Sequence, residues 1–219
     1  MNKKGFTLAE VLITLGIIGV IAALTFPSLM SSYNKKVAST RLKKFYSTMQ
    51  QAILLAKAEY GDVEYWSRTG NLAEDEESET SANYTATLNY WNKYFAPQFY
   101  TLKVEPDKRN RKNLAIYLTD GSKLSIWNGG CLDIRFDVNG DNNPNTLGVD
   151  EFYFTLCESE YERNYYHGDK NIIFSPYYAA SVSNRTSALE ACKNNPTMCA
   201  ALVVLYDGFE FAKDYPYKL

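Results

Sequence analysis

Residues 6 to 26 run Phe-Thr-Leu-Ala-Glu-Val-Leu-Ile-Thr-Leu-Gly-Ile-Ile-Gly-Val-Ile-Ala-Ala-Leu-Thr-Phe, and Glu10 is their only charge. A helix of that length reaches about 31 Å at roughly 1.5 Å per residue, enough to cross a hydrocarbon layer of about 30 Å. A secretory signal peptide fits less well, because its apolar region is shorter and ends in a small-residue cleavage site. Glu10 is the informative residue: a carboxylate inside an apolar helix costs a few kcal/mol or more and persists where a partner repays it. The partner it needs is a cation. Just upstream, Lys3-Lys4-Gly5 places two bases and a small residue at the polar edge. Cleavage after Gly5 exposes a new amine on Phe6.

Lys3-Lys4-Gly5-Phe6-Thr7-Leu8-Ala9-Glu10, followed by the long apolar run, resembles the signature of the type IV pilin and type II secretion pseudopilin superfamily. The resemblance implies that a prepilin peptidase cuts between Gly5 and Phe6 and methylates the Phe6 amine. It also implies that Glu10 pairs with a neighbouring subunit's amine during assembly, and that Pro27 stands where many members bend the helix. The implied partners are other pilin subunits, the peptidase, an inner-membrane assembly platform and, before assembly, membrane lipid. The head then lies outside the cytoplasm, on a cell-surface (fimbrial) or periplasmic filament. One feature opposes that orientation. Lys3 and Lys4 precede the span, whereas Lys35, Lys36, Arg41, Lys43 and Lys44 follow it, and a count of flanking bases places the larger cluster in the cytoplasm. The cleavage motif, which is more specific than the count, decides the expected orientation.

Beyond Pro27, the apolar positions Val37, Leu42, Phe45, Met49, Ile53, Ala56 and Tyr60 recur every three to five residues, and Gly61 supplies a stop. One helix over 6–60 is about 80 Å long at roughly 1.5 Å per residue, too long for one compact domain, so its front half must project. The expected organisation is a leader at 1–5, a membrane-spanning or filament-core helix at 6–27, an amphipathic helix packed on the head at 28–60, and a globular head at 61–219.

Residues 28–60 hold six bases and one acid, whereas residues 61–219 hold 15 bases and 23 acids. A basic helix and an acidic head therefore attract each other within or between molecules. Leu114–Leu118 and Lys123–Trp127 flank Asp120-Gly121, and Leu202–Tyr206 and Phe209–Phe211 flank Asp207-Gly208; both read as hairpins. With Leu132–Val138 and Glu151–Cys157 they predict an antiparallel sheet of about six strands after the helix, an α+β fold. The aromatics from Tyr84 to Tyr100 are assigned to the core, with a helix from about Thr87 to Phe95. The acidic run 74–79 is expected to be a solvated loop. The five bases between Lys103 and Lys112 are interrupted by two acids and carry no interleaved aromatics, so a solvated loop is expected there and a nucleic-acid partner is not.

Between two middle strands, Asp137, Asn139, Asp141, Asn143, Asn145, Asp150 and Glu151 supply enough oxygens for Ca²⁺, which takes six to eight. The spacing is not that of an EF-hand, since glycine falls at the fourth position and Gly148 stands where the closing Glu belongs. Some pseudopilins carry a calcium loop, which strengthens the expectation by resemblance alone. The same residues also make a metal-free turn cluster.

Cys131, Cys157, Cys192 and Cys199 are even in number and allow three pairings. Cys131 and Cys157 lie equally far from Pro144, so an antiparallel pair folding there sets them opposite each other, and Cys192 and Cys199 bracket Asn194-Asn195-Pro196. Two local disulfides are expected. His167 is the only histidine and is assigned to the surface. Nucleophile-elbow, P-loop, dinucleotide and zincin motifs are all absent, and catalysis is not expected. The leading function is a structural pilin-like subunit of a type IV pilus or a type II secretion pseudopilus. The alternatives are a minor pilin whose head binds DNA, a surface or a secreted substrate at the filament tip, and an anchored enzyme.

Overall fold

A computed structural model describes Gly5, residues 7–66 and residues 82–219 of the 219-residue chain. The acidic run 74–79 lies outside the described residues. Helix α1 runs unbroken from Leu8 to Tyr60, through Pro27. Its start is fixed by a capping box. Thr7 Oγ1 accepts from the Glu10 amide at 3.3 Å and the Thr7 amide donates to Glu10 Oε2 at 2.8 Å, which satisfies two of the donors a helix N-terminus leaves unpaired. Gly61 ends the helix at φ +81°, a conformation side chains resist, with its N–H on the Lys57 carbonyl at 3.0 Å.

The two halves of α1 meet different surroundings. From Leu8 to Met30 the large apolar side chains are exposed, whereas Ala38, Ser39, Leu42, Phe45, Met49, Ala52, Ile53 and Ala56 are buried. That buried stripe repeats every three or four residues, the period of one helix face. The expected last member of the stripe, Tyr60, is exposed instead.

Six strands form one antiparallel sheet in sequential order: β1 (Thr101–Pro106), β2 (Leu114–Leu118), β3 (Lys123–Asn128), β4 (Leu132–Asp137), β5 (Glu151–Leu156) and β6 (Phe174–Pro176). Its inner face presents Ile116, Leu124, Phe136 and Phe152 in one paired row and Leu114, Ile126, Ile134 and Phe154 in the next. Phe45 of α1 locks into this face. It stacks on Phe136 with ring centroids 4.4 Å apart and meets Phe154 and Phe174 edge-on. Helix α2 (Ala82–Tyr94) adds Tyr90, Trp91 and Tyr94, which join Phe95, Phe99 and Trp66 in the core. Of the aromatics between Tyr84 and Tyr100 assigned to the core, Tyr100 alone is exposed.

The sheet has the expected strand count with a different membership. Leu202–Tyr206 and Phe209–Phe211 do not form a hairpin. Leu202–Tyr206 is a π-helical turn continuing α5 (Cys199–Ala201), and Phe209–Phe211 joins no strand. Leu202, Val203 and Val204 are all buried in succession, so a strand's alternation of faces has no use there. Asp207 is bound by Arg185, at the start of α4 (Arg185–Asn194), rather than spent on a hairpin turn. The missing strands are the two edges, β1 and β6. The segment expected to be a loop around Lys103 instead contributes β1.

The outer face is divided. Helix α3 (Glu160–His167) covers the end at β5 and β6, an ionic network occupies the end near Asp137, and a polar and aromatic area around Asp133 is half-buried, with Trp127 exposed at its side.

Candidate functional site

The chemistry singled out by the sequence falls at three places, the first being the start of α1. Glu10 faces solvent here and holds the Thr7 hydroxyl at 2.8 Å as well as the Thr7 amide. Its carboxylate therefore closes its own helix end in the isolated chain. Gly5 is described and exposed, while Phe6, the residue proposed to carry the new amine, lies outside the described residues. A Cβ added at Gly16 or Gly19 would meet nothing within 4 Å. The apolar half of α1 is long enough to cross a membrane, and none of its apolar stretch is buried by the rest of the chain.

The second place is the loop from Asp137 to Glu151. The strands on either side pair Asp137 with Glu151 and Leu132 with Leu156, a register centred on Pro144. That register brings Cys131 and Cys157 together, with Cα atoms 4.5 Å apart and a disulfide between them; Cys192 and Cys199 form the second disulfide. Both expected pairings are present.

The seven oxygen-bearing residues do not converge on one point. Asp150 accepts from the amides of Asn145 (2.9 Å) and Thr146 (2.6 Å) and from Asn139 Nδ2 (3.1 Å). Glu151 is paired with Arg109, which also donates to Asn145 Oδ1 at 2.9 Å. Asp141 accepts from Lys108, from Lys123 Nζ at 2.8 Å and from the Tyr117 hydroxyl at 2.9 Å. The Asn143 carbonyl accepts from Asn139 Nδ2 at 3.3 Å. Two buried oxygens are left without a partner, Asp137 Oδ2 and Asn139 Oδ1. Among the described residues no group of three or more Asp, Glu, His or Cys is arranged to hold a metal ion. Lys108, Lys123 and Arg109 sit against the carboxylates an ion would need.

The electrostatics follow from these contacts. Partial burial of Asp141 opposes its charge, but hydrogen bonds from Lys108, Lys123 and Tyr117 outweigh that and hold its carboxyl far below the usual range. Asp137 goes the other way. Desolvation, with Asp150 and Glu151 adding like charge, pushes it up to about 7 against the opposing pull of the Asn139 amide and Lys123. Lys108, Arg109 and Lys123 were not linked to this loop in the sequence. The one available signal was the unexplained cluster of bases between Lys103 and Lys112.

The third place is α3. His167 is buried, contrary to its expected surface position. One ring nitrogen, Nδ1, lies 2.7 Å from the Ile172 carbonyl and the other, Nε2, 2.9 Å from Thr155 Oγ1. Burial lowers its basicity, and with both nitrogens engaged it acts as a pin between α3 and β5. The tyrosines around it, Tyr165, Tyr166, Tyr177 and Tyr178, form a contiguous set of ring contacts on the outer surface.

The prokaryotic N-terminal methylation motif matches residues 1–26, which is the type IV pilin and pseudopilin signature, and a family of unknown function (DUF6613) matches residues 28–219. No curated protein and no solved structure matches the chain. The long helix leading into an antiparallel sheet head agrees with the pilin fold. With nearly all of the sequence after the apolar span matched, the chain belongs to the family of unknown function DUF6613, joined to a type IV pilin-type methylation motif.

Proposed function

We propose that this chain is a structural subunit of a pilus or pseudopilus, held in the cytoplasmic membrane by the front half of α1 and then packed into a filament through that same half. The observation that carries the proposal is a 53-residue helix with a bare apolar front half, headed by the matched methylation motif. Each exposed Leu, Ile, Val or Phe is worth about 1.5–3 kcal/mol when fully removed from water. A row of them has to be covered, first by lipid and then by neighbouring stalks. Gly16 and Gly19 leave room on that surface for close helix approach.

Cleavage between Gly5 and Phe6 frees the amine whose charge Glu10 needs once water is gone. In the isolated chain Glu10 is satisfied by Thr7. In a filament the neighbour's methylated Phe6 amine takes up the remaining carboxylate valence and fixes the register between subunits. The test is Glu10→Ala. The expected result is a protein that still inserts into the membrane but enters filaments poorly; normal incorporation contradicts the role given to Glu10. A label placed beyond residue 60 should be accessible from outside the cytoplasm, and cytoplasmic exposure contradicts the orientation.

For the loop between Asp137 and Glu151, we propose that protein cations take the place expected for calcium. Lys108, Lys123 and Arg109 already supply the positive charge, so calcium binds only by displacing them.

A further inference from the structure

The outer sheet face carries a carboxyl group that the chain itself leaves unused. Asp133 and Arg135 are alternate residues of β4 and therefore project from the same face. Asp133 makes no side-chain hydrogen bond or ion pair among the described residues. Burial alone pushes its carboxyl up to about 7, with no charged neighbour contributing. Arg135 Nε is buried and has no hydrogen-bond partner. An acceptor that the chain leaves unused, beside a guanidinium held on a tyrosine ring, is what an uncharged ligand rich in hydroxyl donors would satisfy.

Aromatic rings stand on both sides of this pair. Trp127 of β3 is directly opposite Asp133 across the strand pair and is 46% exposed. On the other side, Tyr153 of β5 pairs with Arg135, whose guanidinium lies 5.7 Å from the Tyr153 ring centroid. Tyr153 meets Tyr177 edge-on at 5.3 Å, and Tyr177 in turn meets Tyr178 (4.6 Å) and Tyr166 (6.1 Å). Tyr178 holds φ +51°, an uncommon conformation for a bulky residue that keeps its ring in this cluster. Burial raises the pKa of Tyr153, Tyr166 and Tyr177, and the charge of Asp133 adds to it.

We infer that the face formed by Trp127, Asp133, Arg135, Tyr153 and Tyr177 binds a neutral carbohydrate chain. The pyranose ring suits it. The C–H face of a sugar carries slight positive charge and lies against the negative face of an aromatic ring, while its hydroxyls donate to Asp133. An organic cation is the competing ligand, because aromatic faces and a carboxylate also attract positive charge. Arg135 argues against it, since its guanidinium already stands on the Tyr153 ring and would repel a second cation. The inference goes beyond filament assembly and holds or fails separately from it.

The test uses the full chain in a polyoxyethylene detergent, which offers no sugar of its own. Saturation-transfer NMR is recorded with cellohexaose, chitohexaose and maltohexaose, and with tetramethylammonium as the cation probe. The expected result is transfer to at least one oligosaccharide, with affinity about tenfold weaker in Trp127→Ala and in Asp133→Leu. Asp133→Asn, which keeps an acceptor oxygen, retains most of the binding, and Tyr65→Ala, exposed elsewhere on the head, leaves it unchanged. Three results overturn the inference: no transfer to any of the sugars, binding that Trp127→Ala leaves intact, or binding of tetramethylammonium that Asp133→Asn and Asp133→Leu abolish equally. Asp133→Asn is isosteric and Trp127 is half exposed, so these two variants decide the matter even if Asp133→Leu folds poorly.

Discussion

Replacing Phe45 with alanine tests how the long helix is fastened to the head. Phe45 is 2% exposed and touches three rings of the sheet, Phe136 face to face and Phe154 and Phe174 edge-on. Truncating a buried Phe to Ala costs about 3–5 kcal/mol, from lost transfer energy and the cavity left behind. The ring pairs are part of that figure, at about 0.5–1.5 kcal/mol each. The loss is a large share of a total stability of about 5–15 kcal/mol. At about 2–4 °C per kcal/mol for a chain of this size, Tm should fall by roughly 6–20 °C. Thermal unfolding of the full chain in micelles, followed by near-ultraviolet circular dichroism, reads the head's tertiary packing. The control is Leu54→Ala, on the same helix but 67% exposed, where a change within about 0.5 kcal/mol is expected. If the two variants melt within a degree or two of each other, α1 is not seated on the sheet through Phe45 and the packing described here is wrong.

Three further outcomes follow from the head. Removing the Cys131–Cys157 disulfide, with 26 residues of sequence separation, should cost about 3.5 kcal/mol in the chain-entropy estimate, against about 2.4 for Cys192–Cys199 with a separation of 7; urea unfolding of the two double-alanine variants that gave the reverse order would contradict it. Asp137 has a folded-state pKa raised to about 7, so its contribution is full below an unfolded value of about 3.9 and is lost as pH rises through 7. The groups facing it are Asp150, Glu151, Lys123, Arg109 and the Asn139 amide. Asp137→Asn should therefore gain Tm relative to the parent on going from pH 5 to pH 8, and a constant difference across that range refutes the shift. Calcium at about 5 mM should leave Tm unchanged, because Lys108, Lys123 and Arg109 already hold the carboxylates the ion would need; a rise of several degrees would show the metal displacing them.

Much of this architecture could be read from the chain because it is set by local periodicity. The apolar run and the stripe from Leu42 to Ala56 define α1, and the turn residues Asp120-Gly121 define the β2–β3 hairpin. The equal spacing of Cys131 and Cys157 about Pro144 gave both the β4–β5 register and the disulfide. The misread elements were those decided by distant partners. Leu202–Tyr206 has the composition of a strand, yet it is buried all round and continues a helix, with Asp207 tied to an arginine 22 residues away. Strands β1 and β6 are sheet edges. One is largely exposed and the other is three residues long and ends at Pro176, so neither shows alternation. His167 reads as a surface residue in sequence because its partners Thr155 and Ile172 come to its two ring nitrogens only once α3 folds back on the sheet. The outer face around Asp133 draws on β3, β4, β5 and the segment after β6, and no single stretch of sequence announces it.

The central claim is that the apolar front of α1 belongs to a processed, assembling subunit, with Glu10 kept for the amine that cleavage exposes. Mass spectrometry of the amino terminus of protein recovered from cells with an active prepilin peptidase tests it most directly. The expected species begins at Phe6 and carries one added methyl group on its amine. Recovery of the chain with residues 1–5 still attached would contradict it.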